Sequence, residues 1–379
     1  MSATAAIVGA AETTRLGIIP DMTALALNVE ASMLAIRDSG LDIAEIDGIA
    51  STGHITAATA EALGIRPRWI DNTHVGGCSY FLHLRHAIAA IETGRAKAVL
   101  VTHGQSGRSR LGEEGFSYLP SGPNGQFEAP YGVGPFFTMF TLTALRFMKD
   151  LGITHEQLAM VAVAQRRWAH LNPRAFSQDL LTVDDVLNAP LIAYPFHKPQ
   201  CCVVTDGGGA FVVTSVDRAK DVAGPAAYVL GTGESYAHTM VSQMDDFTTS
   251  RAFRDAGTEA FAQAGVTPAD IDHLQVYDAF AHVPLYALED LGFVGRGESG
   301  AFVEEGHTAP GGSLPMNTNG GGLAYTHTGM YGMFALQESI RQIRRRAAAQ
   351  VDDVELAFSQ GVGGMFEFAG SAIFATQPD

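Results

Sequence analysis

The sequence predicts an α/β protein built from two similar halves, and three observations carry that prediction. Between residues 5 and 102, apolar strand-like runs alternate with amphipathic helical runs in β-α-β order, punctuated by glycine. The stretch Gly40-Leu41-Asp42-Ile43-Ala44-Glu45-Ile46-Asp47 is matched by Gly265-Val266-Thr267-Pro268-Ala269-Asp270-Ile271-Asp272, and both lead into an apolar strand. Two more pairs follow in the same order. Gly320-Gly321-Gly322 with its helix echoes Gly76-Gly77-Cys78 with its helix, and Val354 to Gly361 echoes Ala98 to Gly104. Three correspondences in one order indicate an internal duplication, with mixed or parallel sheets and a site between matching glycine-rich elbows.

In chain order, Ala5 to Gly9 reads as a short buried strand, Thr23 to Asp38 as an amphipathic helix stopped by Ser39-Gly40, and Asp47 to Ala50 as a second strand. A turn-rich piece, Asp71 to Ser79, feeds the helix Tyr80 to Thr93, and Gly94 precedes the strand Ala98 to Thr102. From Gly104 to Gly134 the chain is polar and rich in glycine and proline, without a sustained period. Helices are expected over Phe136 to Leu151 and Thr154 to Leu171, the second opened by the capping pair Thr154 and Gln157. A strand over Ala210 to Thr214, a helix over Ser250 to Ala264 and the amphipathic segment Phe334 to Arg346 complete the reading. The expected division is residues 1–103 with 200–240 as the first half, 104–199 as a loop and helical cap, and 241–379 as the second half.

Composition narrows the function. With 379 residues, 46% hydrophobic and 17% charged, the chain can bury a large core of enzyme size. A formal net charge of -16 argues against nucleic acid, since the compact basic run Arg341 to Arg346 reads as a helix end. Three cysteines, Cys78, Cys201 and Cys202, imply no disulfide framework and fit a reducing cytoplasm. No uncharged apolar run reaches membrane-spanning length and no leader pattern opens the chain. Metal ligation is not expected: the cysteines lack a C-x-x-C pair, and His74, His83 and His86 lack supporting ligands at metal spacing.

Four boxes in order resemble those of the thiolase superfamily, and more closely its sterol-carrier-protein-type, lipid-transfer-protein-like branch. Gly76-Gly77-Cys78-Ser79 is similar to the nucleophile elbow, and Val276-Tyr277-Asp278-Ala279-Phe280 to the Asn-Glu-Ala-Phe or His-Asp-Ala-Phe box. Tyr325-Thr326-His327-Thr328-Gly329 resembles the Gly-His-Pro box, and Gly361-Val362-Gly363-Gly364 the closing Cys-x-Gly-Gly loop. The likeness spans essentially the whole chain. It implies the thiolase fold, two mixed-sheet halves in a five-layer α-β-α-β-α sandwich, acting on an acyl-CoA with coenzyme A as substrate or product and no permanently bound cofactor. It further implies a homodimer and a small OB-fold, zinc-ribbon partner of the DUF35 type.

Carbon-carbon cleavage beside a thioester needs a nucleophile, a proton carrier and donors for the oxyanion. Cys78 follows two glycines at a helix start, where amides and the helix dipole favour a thiolate; its competing role is a buried apolar filler. Cys201 and Cys202 begin an apolar run and read as core. His327 matches the histidine that activates the nucleophile, although Thr326 and Thr328 flank it here. Asp278 either orients a site residue or caps a helix beginning near Ala279, and Asn317 is either a turn residue or a donor. The resemblance assigns the amides of Gly363 and Gly364 to the oxyanion.

The closing loop, Gln360 to Met365, lacks the second cysteine that serves ordinary thiolases as acid and base. Tyr277, Tyr325 and Tyr331 are the candidates to move that proton, against the commoner role of a tyrosine as packing with one polar tip. Two enzyme readings follow: thiolysis of a bulky 3-oxoacyl-CoA through a Cys78 acyl-enzyme, or retro-aldol cleavage of a β-hydroxyacyl-CoA by tyrosines. A non-catalytic acyl- or lipid-binding subunit is the third. Phe116, Tyr118, Phe127 and Tyr131 suit a bulky apolar acyl group or a buried interface.

Overall fold

The computed structural model describes residues 3–112, 122–133 and 137–378. Phe116, Tyr118 and the expected start of a helix at Phe136 lie outside the described residues.

The first half runs β1 (Ala5–Glu12), α1 (Ala24–Ser39), β2 (Gly48–Ala50), α2 (Ile55–Leu63), β3 (Trp69–Asp71), α3 (Ser79–Glu92) and β4 (Ala98–Ser106). The cap carries α4 (Pro123–Phe127), α5 (Phe137–Leu151), α6 (His155–His170), α7 (Val183–Leu187) and a small hairpin of β5 (Leu191–Ala193) and β6 (Phe196–His197). The core resumes with β7 (Asp206–Ser215), α8 (Val216–Ala219), β8 (Ala227–Tyr236), α9 (Arg251–Ala264) and β9 (His273–Val276). It ends with α10 (His282–Asp290), α11 (Ser299–Glu304), α12 (Gly321–Ala324), α13 (Gly332–Ile343), β10 (Leu356–Gly363) and β11 (Phe368–Ala375).

Nine strands form one sheet in the order β3-β2-β4-β7-β1-β8-β11-β10-β9. Its two sides mirror each other. β1 pairs antiparallel with β7 as β8 does with β11, and β2 lies parallel to β4 as β9 does to β10. Helix α1 covers β1, β4 and β7; α9 covers β8 and β11; and α3 and α13 touch strands of both sides. The layers are therefore helix, strands, central helix pair, strands, helix, with the halves joined where β1 meets β8.

Local chemistry explains the repeat. Both α1 and α9 stop at a left-handed glycine, Gly40 at φ 71° and Gly265 at φ 69°, and each is followed by a short turn with a capping box. Asp47 then accepts the amides of Lys97 and Ala98 at the head of β4, while Asp272 accepts those of Glu355 and Leu356 at the head of β10. These aspartates pin equivalent strands in register. Strand β8 lies under α9 as β1 lies under α1. The described part of the cap packs α6 against α10, α11 and α12, beside the second half's glycine-rich turns.

Candidate active site

The elbow forms because Gly76, at φ 75°, turns the chain into a short 3-10 turn over Gly76–Cys78 that runs straight into α3. Ser79 locks it: its Oγ donates to the Gly76 carbonyl at 2.6 Å and accepts the Val75 amide at 3.0 Å. Against this elbow packs the turn that follows β10. A Cβ on Gly363 would lie 1.8 Å from the Val75 oxygen and 2.9 Å from Cys78 Sγ, and one on Gly77 would lie 2.3 Å from the Tyr277 ring. Neither position has room for a side chain. The two glycine-rich boxes thus meet backbone to backbone around the thiol.

Cys78 is fully buried, with Sγ 3.6 Å from the Val75 carbonyl. Burial pushes its pKa up, which is the reverse of the thiolate-favouring direction expected from its place at a helix start. Desolvation outweighs the helix amides here, so a base must accept the proton when the thiol reacts.

A titratable pair lies beside the elbow, the Tyr277 ring packing against Gly77. The Tyr277 hydroxyl sits 2.9 Å from His327 Nε2 and accepts the Tyr331 amide at 3.1 Å. Its ring stands perpendicular to that of His327, with centroids 5.6 Å apart. Burial lowers the His327 pKa to about 4, so the imidazole is neutral at physiological pH, and the residue keeps partial exposure. The phenol oxygen thus accepts the Tyr331 amide on one side and shares a hydrogen bond with the imidazole on the other, its direction set by the His327 tautomer. Burial raises the phenol's pKa as well.

The structure separates the remaining candidates. Asp278 accepts the amides of Gly322 at 2.6 Å and Leu323 at 3.0 Å, so it caps α12 just ahead of His327. It caps nothing near Ala279, because the next helix starts at His282. Burial pushes its carboxyl up to about 8, against the pull of those amides. The Tyr331 hydroxyl is spent elsewhere, 2.9 Å from Asn319 Oδ1 and 2.7 Å from Gln275 Nε2. Tyr325 donates its hydroxyl to buried Glu12, which Arg341 also holds at 2.8 Å. Asn317, at φ 55°, accepts the Val276 amide at 2.9 Å and fixes the turn. Of the three tyrosines, Tyr277 alone has its hydroxyl on the histidine.

Cys201 and Cys202 are partly buried, Cys201 packing against the main core, and the chain here runs beside the site turns: Cys202 N bonds to Ala279 O and Val203 N to Gly322 O, both at 2.9 Å. One neighbour was invisible to motif reading. The Glu367 carboxylate lies over Gly364, 2.5 Å from where a Cβ would stand, and burial with nearby Glu128 raises its pKa to about 7. A single glutamate after a glycine turn carries no sequence signal.

The Thiolase C-terminal domain-like family model matches residues 233–376. An acetyl-CoA acetyltransferase of Methanothermobacter thermautotrophicus is 30% identical over 98% of this chain and 99% of its own. A steroid side-chain-cleaving aldolase of Thermomonospora curvata is 33% identical over 87% of this chain and 88% of its own. A solved Ltp2-ChsH2(DUF35) aldolase superposes with a TM-score of 0.90 at 29% identity, covering 98% of this chain and 97% of that one. With a buried cysteine elbow, a histidine turn and a glycine closing loop converging in one fold, this chain belongs to the thiolase superfamily, in its thiolase-like and steroid side-chain aldolase branch.

Proposed function

We propose that this protein is a 3-oxoacyl-CoA thiolase-type acyltransferase working through a Cys78 acyl-enzyme. The carrying observation is the Tyr277–His327 pair, 2.9 Å apart, facing an elbow whose thiol touches Gly363. In the cleavage direction, the Cys78 thiol gives its proton to that pair and sulfur adds to the 3-oxo carbon. The C2–C3 electron pair moves to C2, and the enolate takes the proton back. The thiol of coenzyme A then displaces the acyl group, and its proton restores Cys78. The backbone of Gly363 and Gly364 is the candidate oxyanion site. No resident cofactor is required by these steps.

A second reading rests on the same pair. A phenol bonded to a neutral imidazole can take the hydroxyl proton of a β-hydroxyacyl-CoA, which is a retro-aldol cleavage without the thiol. The relatives support both: one is named an acetyltransferase and another a steroid side-chain-cleaving aldolase. Cys78→Ala decides between them. Under the acyl-enzyme reading thiolysis falls by about a thousandfold or more; if β-hydroxyacyl-CoA cleavage persists in that variant and is lost in Tyr277→Phe, the aldolase reading replaces it.

We further propose a homodimer and a DUF35-type partner. The short edge strand β3 leaves one side of the sheet open and Ile70 on it is 45% exposed, which suits pairing with a second copy. Phe127 and Tyr131 are 64% and 85% exposed, so they suit a protein interface better than an acyl pocket within one chain. The Ltp2-ChsH2(DUF35) neighbour supports the small partner. No described helix is long and apolar enough to cross a membrane, and we propose cytoplasmic residence. Size-exclusion with light scattering, alone and with a co-expressed DUF35-type protein, tests both assemblies.

A further inference from the structure

We infer that His103 and Thr205, both from the first half, are positioning residues that hold His327 of the second half by gripping the threonines on either side of it. This rests on the reading of His327 as part of the proton-moving pair.

Thr326 Oγ1 lies 2.8 Å from Thr205 Oγ1, and Thr328 Oγ1 lies 2.7 Å from His103 Nε2. Thr205 also takes the His327 amide on its hydroxyl at 2.9 Å and gives its own amide to the His327 carbonyl at 3.1 Å. His103 uses its second nitrogen as well, with Nδ1 2.5 Å from the Tyr80 hydroxyl. All five residues around His327 in this network are essentially buried, none more than 2% exposed.

The arrangement answers a departure from the family pattern. Where the Gly-His-Pro box flanks its histidine with residues that have no hydroxyl, this chain has Thr326 and Thr328. A buried hydroxyl without a partner is destabilising, because it gives up water and gains no hydrogen bond in return. Each extra hydroxyl meets a dedicated partner on the opposite half. The imidazole of His103 matters most, because Tyr80 is two residues beyond Cys78 on the elbow helix. One ring therefore ties the helix carrying the nucleophile to the turn carrying the histidine, and fixes their separation.

The groups facing the two imidazoles are few. His103 meets Tyr80, Thr328 and the edge of Phe334, with His327 nearby; His327 meets Tyr277 and the Thr205 backbone. Burial and the neighbouring His327 lower the His103 pKa to about 3, so it stays neutral and adds no charge beside the pair.

The test uses the full-length protein with Thr328→Val, Thr328→Ser and His103→Leu, read by nitrogen-resolved NMR titration of His327 and by pH-dependent turnover on a 3-oxoacyl-CoA. Thr328→Val and His103→Leu are expected to lower kcat by about tenfold or more with KM nearly unchanged. They should also move the His327 ionisation up toward the ordinary value of about 6.5 as the loosened turn admits water. Thr328→Ser, which keeps the hydroxyl, restores both. A folded Thr328→Val protein with unaltered His327 titration overturns the inference, and this variant decides it if His103→Leu does not fold. If His327→Ala retains full turnover, the catalytic reading of His327 fails, whereas the NMR titration still reports on the grip itself.

Discussion

The Tyr277 hydroxyl and His327 Nε2 are 2.9 Å apart although fifty positions separate them, and the Tyr331 amide closes the other side of the phenol oxygen at 3.1 Å. This fixes the position of the phenol oxygen between the two. Tyr277→Phe keeps the ring against Gly77 while deleting the proton, so we expect kcat to fall by about a hundredfold or more with little change in melting temperature. Tyr331→Phe, whose hydroxyl serves Gln275 and Asn319, should affect stability more than the chemical step. Comparing kcat and thermal midpoints of the two variants checks the assignment.

Gly363→Ala places a methyl 1.8 Å from the Val75 oxygen and 2.9 Å from Cys78 Sγ. The closing turn must then withdraw from the elbow. We expect a loss of about 1–3 kcal/mol in stability and near-complete loss of turnover, measured by denaturant unfolding and steady-state assay.

Asp278→Ala leaves the Gly322 and Leu323 amides without their buried acceptor. The expected destabilisation is about 1–3 kcal/mol per lost acceptor. Asp278→Asn keeps one acceptor oxygen and should recover part of it, so the order wild type, Asn, Ala in urea midpoint is the outcome to check.

His86 stands between Asp71, at 2.7 Å, and Glu234, at 3.6 Å, and these carboxylates raise its pKa to about 9. A histidine raised in the folded state contributes stability that is complete below its unfolded pKa and is lost as pH rises through the folded one. Wild-type stability attributable to this site should therefore decline between about pH 6.5 and 9, while His86→Ala shows no such decline. Urea midpoints at pH 6 and pH 10 separate the two.

Glu367 has the same sign in a lower pH window. Its carboxyl is raised from 4.5 to about 7 by burial, so the folded protein binds the proton more tightly and stability falls as pH climbs through that interval. Glu367→Gln should match wild type near pH 4 and exceed it near pH 8, as read from thermal midpoints across pH.

The sequence by itself determined the parts whose physics is local. Thr23 and Gly40 bound α1, Thr154 and Gln157 open α6, and the paired turns at 40–47 and 265–272 repeat because each needs the same cap and glycine stop. The four boxes, with Cys78 and His327 within them, were legible through their resemblance to the thiolase boxes. Strands β8 and β11 left little trace, since glycine and serine interrupt their apolar runs and their pairing partners lie far along the chain. The tertiary structure alone decided which tyrosine's hydroxyl meets His327. Tyr277 lies in the Val276 to Phe280 box and Tyr325 and Tyr331 flank His327, yet their hydroxyls end on His327, Glu12 and Asn319. It also decided the Cys78 ionisation, because burial depends on Gly363 arriving from the other half and a helix start counts for less once solvent is excluded. A hydroxyl's partner and a thiol's desolvation are set by atoms brought together across the duplication, and no window of neighbouring residues contains them.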